Sequence, residues 1–453
     1  MKFGVKNLGP IKEANVEIGD LTIICGKNNC GKTYLTYSLY SFLKALPPNY
    51  TFPVPGKSFD ICYKEGFCTI DSKDMFASFS EHLEKVTRDF TKKIHVFLAM
   101  TQNVSADNTQ VFVKFDENEL NNFIEKPRKA RFQVAETCTI VVEKEKQSST
   151  IKVHIENTGE ALPPKENLRK LFRIVCSIFF NRIFPDTFSL TGERSGISIF
   201  AGSIADFSRK VASQSGTPIR LASDWMKITP DSPNIDFPLP VLKEIEFFQN
   251  LNNIRKRESF IKRDHPEILQ FADKIFGGKC DFDDKLGVQY FPKGSDVHLA
   301  LPECSSSVKS LVEFSFYLRH CAKREQILMI DEPELNLHPE NQRYLARLLA
   351  MLINAGIKVF ITTHSDYIVR ELNILLMLNN KKASMLKSVS TEFGYGEMLN
   401  RCLLSPDKVR CYVAADGELR PMDVDKKFGI EVTSFDDSIN GYNSLQNKVL
   451  FGE

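Results

Sequence analysis

Residues Gly26 to Thr33 read GKNNCGKT, and this stretch limits the fold more than any other part of the chain. An apolar run, Leu21 to Cys25, precedes it, and a segment of helical character follows from Lys32 to Leu46, ending at Pro47-Pro48. The pattern G-x-x-x-x-G-K-[ST] between a strand and a helix makes a phosphate loop. Gly26 and Gly31 let the backbone curl, so that the N–H groups of the intervening residues, among them Asn28, Asn29 and Cys30, turn inward toward anionic oxygens. The helix that follows adds the positive end of its dipole. Lys32 is expected to reach the β- and γ-phosphates, and Thr33 to offer its hydroxyl to Mg²⁺. Cys30 fills a slot that needs a small residue. ATP and Mg²⁺ are the expected cofactors.

Two later segments supply what a bare phosphate loop lacks. Ile327 to Glu332 reads ILMIDE, an apolar run ending in two carboxylates. A buried parallel strand fits, with its acids at the C-terminal end, where open α/β sheets place their ligands. Neighbouring side chains on a strand point apart, so consecutive acids share a site only where the strand stops. Asp331 is expected to hold Mg²⁺ and Glu332 to polarise the attacking water. Val359 to Asp366 reads VFITTHSD, a β-branched strand with His364 just beyond it. A histidine there can donate to the γ-phosphate and orient the water.

The rest of the chain constrains less. Strands are expected at Phe3 to Val5, Ala14 to Ile18, Cys138 to Val142, Ile151 to Ile155 and Phe188 to Leu190, and a second hairpin near Val288 to Leu301. Helices are expected over Met75 to Met100, Glu166 to Ile183, much of Val241 to Ile275, and onward from Asp366. Thr51 to Ser72 reads as loop and short strand, and Val409 to Val432 as hairpins turning at Asp416-Gly417. With 42% hydrophobic and 26% charged residues the chain is globular, and its net charge of +2 gives no general attraction to nucleic acid or membrane. The apolar stretch Leu171 to Phe184 is too short to span a bilayer and carries Arg173 and Arg182. Eleven cysteines without a CxxC pair, and an opening MKFGVKNLGP without a signal-peptide core, point to a reduced cytoplasmic setting.

Together these motifs resemble the ABC-type ATPases of the SMC/RecF class. More narrowly, they are similar to the compact ATPases of bacterial antiphage defence, such as the Septu and PARIS subunits and the ATPase half of OLD nucleases. FGVKNLGPIKEANVEIGDLTIICGKNNCGKT matches the family's opening hairpin and Walker A, DEPELNLHP its Walker B and following loop, and ITTHSDYIVREL its switch-histidine region. The resemblance implies an α/β fold: an ABC-type P-loop head with an N-terminal antiparallel β-subdomain and helical insertions. It also implies a site completed by a second molecule, whose signature motif donates to the γ-phosphate. Here CSSSVKSLVEF occupies that place, with Ser305, Ser306 and Ser307 before an apolar helix and no glycine among them. TGERSG, Thr191 to Gly196, stands where related ATPases carry a glutamine loop, making Glu193 or Arg194 a candidate contact to Mg²⁺ or phosphate. His338 is implicated in communication between subunits.

The expected parts are 1–75 (hairpin, phosphate loop and first helix), 76–132 (helical insertion), 133–200 (β-hairpin and core helix), 201–278 (helical insertion or short arm) and 279–453 (signature, acid pair, histidine and C-terminal hairpins). No heptad run marks the long arms of SMC proteins, and Asp423 and Asp425 lack the partner acid of a Toprim nuclease. The expected function is an ATP-hydrolysing defence subunit that pairs with its own kind and controls a separate effector such as a nuclease. The alternatives are a RecF-like repair ATPase clamping DNA through basic clusters at Lys126 to Arg131 and Arg255 to Arg263, a transporter ATPase, and a low-turnover nucleotide-binding scaffold.

Overall fold

The computed structural model describes residues 1–49, 56–77, 79–100, 108–115, 125–180, 184–201, 237–283 and 285–430, with residues 121 and 448. Its centre is a nine-stranded sheet in the order β5-β1-β2-β16-β15-β3-β14-β13-β9. The parallel half is formed by β3 (Leu21–Gly26), β9 (Thr187–Leu190), β13 (Ile327–Asp331), β14 (Lys358–Thr363) and β15 (Val409–Ala415). The other half is largely antiparallel: β1 (Lys2–Leu8), β2 (Ile11–Glu17), β5 (Gln110–Lys114) and β16 (Glu418–Met422).

Strand periodicity explains why the parallel half is apolar on both faces. Leu21, Ile23 and Cys25 point into one core and Ile24 into the other; Leu328 and Ile330 alternate in the same way with Ile327 and Met329, and Val359 and Ile361 with Phe360. Helix α1 (Lys32–Asn49) covers the face of Ile24, Met329 and Phe360 with Leu35, Leu39 and Phe42. The opposite face is covered by helices that include Leu345, Leu348, Leu349, Leu372 and Leu376.

The register fixes the level at which these strands end. Asp331 lies opposite Thr362, and Thr363 opposite Cys25. The phosphate loop, the acid pair and the segment of His364 therefore leave the sheet at the same C-terminal end of its parallel strands. The DG turn joins β15 to β16 as expected, with both residues at positive φ, but the hairpin belongs to the main sheet: β15 runs parallel to β3, directly beside it.

Several stretches differ from the sequence reading. Within Thr51 to Ser72, Gly56–Glu65 is a helix (α2) and Phe67–Asp71 is strand β4. The stretch 76–132, read as helical, holds α4 (Phe79–Phe97) after the short α3 (Ser72–Ala77), but also β5 and the start of β6 (Arg128–Ala135). β6, β7 (Cys138–Lys144) and β8 (Thr150–Asn157) form a meander that β4 extends to four strands. Helix α5 (Lys165–Phe180) buries Leu168, Phe172, Val175 and Cys176 and leaves Ile174 exposed. The second hairpin begins earlier than expected, at β10 (Gly278–Asp283) and β11 (Gly287–Pro292), with the short β12 (Leu299–Ala300) beside it. Residues 202–236 of the 201–278 stretch lie outside the described residues. Helix α6 (Leu239–Gln249), whose first residue is buried, opens the part that is described. All eleven cysteines are free thiols. Among the described residues no helix is long and apolar enough to cross a membrane.

Candidate nucleotide site

The loop between β3 and α1 turns through backbone conformations that favour glycine or asparagine. Gly26 has φ +150°, Asn29 +63° and Gly31 +85°. A Cβ on Gly26 would come within 2.5 Å of the Ala414 carbonyl oxygen, and one on Gly31 within 2.5 Å of Ile11 Cγ1. Asn28 and Asn29 are exposed at the tip, and Cys30, half-buried, directs its thiol at the Asn28 carbonyl, 3.8 Å away. Lys32 is 6% exposed, and its Nζ donates to the carbonyls of Gly26 (3.1 Å) and Lys27 (2.8 Å), so the ammonium lies within the curl of the loop. Burial pulls its pKa down, opposed by Cys30, Asp331, Glu332 and Glu334.

Opposite the loop, Asp331 ends β13 with its carboxylate shared between two hydroxyls. Thr33 Oγ1 donates to Oδ2 at 2.9 Å, and Thr362 Oγ1 donates to Oδ1. Burial raises the Asp331 pKa, and these two donors oppose the rise. Glu332 then leaves the strand in the left-handed region, φ +51°. Its N–H still donates to the Thr362 carbonyl at 3.0 Å. This reversal lets consecutive acids serve one site. Glu332 Oε1 stands 3.6 Å from His364 Nε2.

A third acid holds the histidine in place. Glu334 accepts from the His364 backbone N–H at 2.6 Å and from Thr363 Oγ1 at 2.8 Å, clamping the end of β14 to the loop after β13. Ser365 caps the next helix by accepting from Ile368 N–H. The sequence reading passed over Glu334; its position in DEPELNLHP was the available signal.

Lys32, Thr33, Asp331, Glu332 and His364 are thus brought together. The serines are placed otherwise. Ser305 caps the helix Ser306–Phe316 by accepting from Val308 N–H, and its Oγ is 2.8 Å from Ser307 Oγ. Ser305 and Ser306 are exposed and Ser307 is half-buried. Among the described residues no hydrogen bond or ion pair joins them to the phosphate loop of the same chain. Glu193 accepts from Tyr37 Oη at 2.7 Å, and the Arg194 guanidinium donates to backbone carbonyls. His338 caps the helix Pro339–Asn354, accepting from Glu340 N–H.

Several members of the basic clusters pair with acids nearby. Lys126 pairs with Glu325, Lys129 with Glu143 at 2.9 Å and Arg131 with Glu156. Lys262 lies 3.8 Å from Glu258, and Arg263 2.8 Å from Asp264.

Among the described residues no group of three His, Cys, Asp or Glu is arranged to hold a metal unaided. The oxygen pair of Thr33 and Asp331 fits Mg²⁺, which takes few protein ligands and completes its shell with phosphates and water.

No curated protein matches the chain. Solved structures similar to it include an SMC head domain from Thermotoga maritima, 10% identical, covering 94% of this chain and 98% of that one, with a TM-score of 0.30. An Smc head bound to the C-winged helix domain of ScpA is 11% identical over 93% and 95% of the two chains, TM-score 0.33. An Smc head with an extended coiled coil, bound to the C-terminal domain of ScpA and derived from Pyrococcus furiosus, is 12% identical over 98% of both, TM-score 0.31. A family model described as an AAA ATPase domain matches residues 1–181 and 212–369, which hold the phosphate loop, the acid pair and His364. With more than half of its length matched, the chain belongs to the AAA ATPase domain family and is an ATPase.

Proposed function

We propose that this ATPase is a subunit of an antiviral defence complex, in which ATP draws two heads together and so controls a separate effector, a nuclease. The observation that supports the hydrolytic part is the convergence of Lys32, Thr33 and Asp331 on one side and Glu332 and His364 on the other. In this reading the loop N–H groups and Lys32 bind the β- and γ-phosphates. Thr33 and Asp331 would hold Mg²⁺, which neutralises phosphate charge when bound. Glu332 accepts a hydrogen bond from the attacking water and polarises it, and His364 donates to the γ-phosphate and fixes the direction of approach. The exposed serines at the start of the helix Ser306–Phe316 face a second head, where a helix N-terminus and hydroxyls suit a γ-phosphate. The defence setting rests on the resemblance of the GKNNCGKT, DEPELNLHP and TTHSD segments to compact defence ATPases. The local pairing of the basic clusters leaves the DNA-clamping alternative with less support.

The test is ATP binding, turnover and sedimentation of the parent, Lys32→Ala and Glu332→Gln. Lys32→Ala should lose nucleotide affinity. Glu332→Gln should bind ATP, turn it over at least about 100-fold more slowly, and accumulate as an ATP-bound dimer. A Glu332→Gln protein that hydrolyses ATP at the parental rate would remove the catalytic assignment. A partner recovered with the dimer and lacking nuclease activity would remove the effector assignment.

A further inference from the structure

One buried cation takes no part in the site as described above. Arg194, in the TGERSG segment after β9, is 2% exposed. Its guanidinium donates to four carbonyl oxygens: Thr191 at 2.8 Å, Asp331 at 2.8 Å, Glu332 at 2.6 Å and Ser310 at 3.0 Å. Two of these belong to the acid pair, and the fourth lies one turn into the helix capped by Ser305. Residues 182–211, which include Arg194, fall between the two stretches matched by the family model.

The arrangement asks for arginine in particular. A planar guanidinium has donors on three nitrogens in a rigid fork, whereas an ammonium is a single point on a flexible stem. A buried cation is costly without counter-charge. Here the counter-charge comes from Glu244, Asp331 and Glu313; Glu244 and Glu313 are both 1% exposed. Glu244 accepts from Thr191 Oγ1 at 2.6 Å and from Thr191 N–H at 3.2 Å. Burial pushes the Glu244 carboxyl up to about 7, and burial together with Glu244 holds Glu313 well above the usual range. Glu244 Oε1 and Glu313 Oε2 are both buried, and the mutual influence of the two carboxyls disfavours ionising both. Glu313 sits on the same helix as Ser310. That helix meets the acid loop a second time at Ser310 Oγ, whose hydrogen is shared between the Ser307 carbonyl at 2.9 Å and the Leu335 carbonyl at 3.2 Å.

We propose that Arg194 is a positioning residue that couples the serine-capped helix to the catalytic carboxylate: it grips the helix at Ser310 and the backbone of Asp331 and Glu332, so that the seating of the helix sets the aim of Glu332. The proposal rests on the reading of Glu332 and of the serine-capped helix given above. A second head docking on that helix is thereby reported to Glu332 within the same chain.

The test compares ATP affinity and steady-state hydrolysis in the parent, Arg194→Lys, Glu332→Gln and the double variant, each below its melting temperature. Arg194→Lys keeps the charge and loses the fork. Its kcat should fall by about 100-fold, the scale of a 1 Å misplacement, with ATP affinity unchanged. The double variant should be no slower than Glu332→Gln alone, because the arginine acts through that carboxylate. Parental turnover in Arg194→Lys, losses that multiply in the double variant, or a fall in ATP affinity that tracks turnover each overturn the proposal. If Arg194→Lys does not fold, Ser310→Ala carries the test by cutting the second tie: turnover should drop at constant ATP affinity, and parental turnover overturns the coupling. Parental activity in Glu332→Gln sinks the catalytic reading itself. An inert Glu332→Gln beside a parental Arg194→Lys sinks the coupling alone.

Discussion

The backbone of Glu332 carries strain that its chemistry requires. A left-handed conformation at a residue with a Cβ costs about 1–2 kcal/mol. At φ +51°, Glu332 swings its carboxylate out of strand alternation and toward His364. Glycine avoids that cost but loses more conformational freedom on folding, about 0.5–1 kcal/mol. Glu332→Gly should therefore be more stable than Glu332→Ala by about 0.5–1 kcal/mol in chemical denaturation, with both inactive. Equal stability of the two would show the conformation to be unstrained. Residues of this kind are legible in sequence when their chemistry is local: GKNNCGKT and the DE pair each declare themselves within a few positions. Arg194 does not, because its partners at Ser310, Asp331 and Glu332 lie 116, 137 and 138 positions away. TGERSG suggested a charged contact, and only the fold showed that the contact is to carbonyls.

At the scale of elements, Asp186 joins pieces that the sequence keeps apart. It precedes β9, pairs with Lys44 of α1 at 2.9 Å and with Lys323 before β13 at 2.9 Å, and accepts from Gln326 Nε2 at 3.3 Å. Burial acts to raise its pKa, but the two lysines prevail and hold it at about 2. A carboxylate held below its unfolded value stabilises the fold above that value, and the benefit fades as acid protonates it in the folded state. The gap in unfolding free energy between the parent and Asp186→Asn should be constant above about pH 5, shrink below about pH 4 and vanish only below about pH 2. Because the side chain is 43% exposed, the gap is about 1 kcal/mol, well short of what an unscreened pair would contribute. A gap independent of pH would detach it from ionisation. Elements with a clean period were legible, β3, β13 and β14 above all. Helix α2 was hidden by the Pro, Gly and aromatic content around it, and β5 by its length of only five residues, QVFVK, paired with the distant β1.

Across the whole molecule, the chain closes its central sheet late. The family match stops at residue 369, yet β3, which carries the phosphate loop, has β14 on one side and β15 of residues Val409–Ala415 on the other. The sequence showed β15 and β16 only as a hairpin, since a strand's parallel neighbour leaves no local signature. Contact with the site is direct: the Ala414 carbonyl occupies the space that a Cβ on Gly26 would need. Val409, Cys411, Tyr412 and Ala414 are all buried. At about 1.5–3 kcal/mol for each large apolar side chain, their removal costs roughly 5 kcal/mol before the unpaired edge of β3 is counted. A whole domain is stable by only about 5–15 kcal/mol. A chain ending at residue 405 keeps the phosphate loop, the acid pair and His364, yet it should show no cooperative melting and no ATP binding, as judged by calorimetry and nucleotide titration. Were that shortened chain to melt near the parental temperature and bind ATP, β15 would be an accessory to the sheet, and the support of the phosphate loop would have to come from β14 and α1 alone.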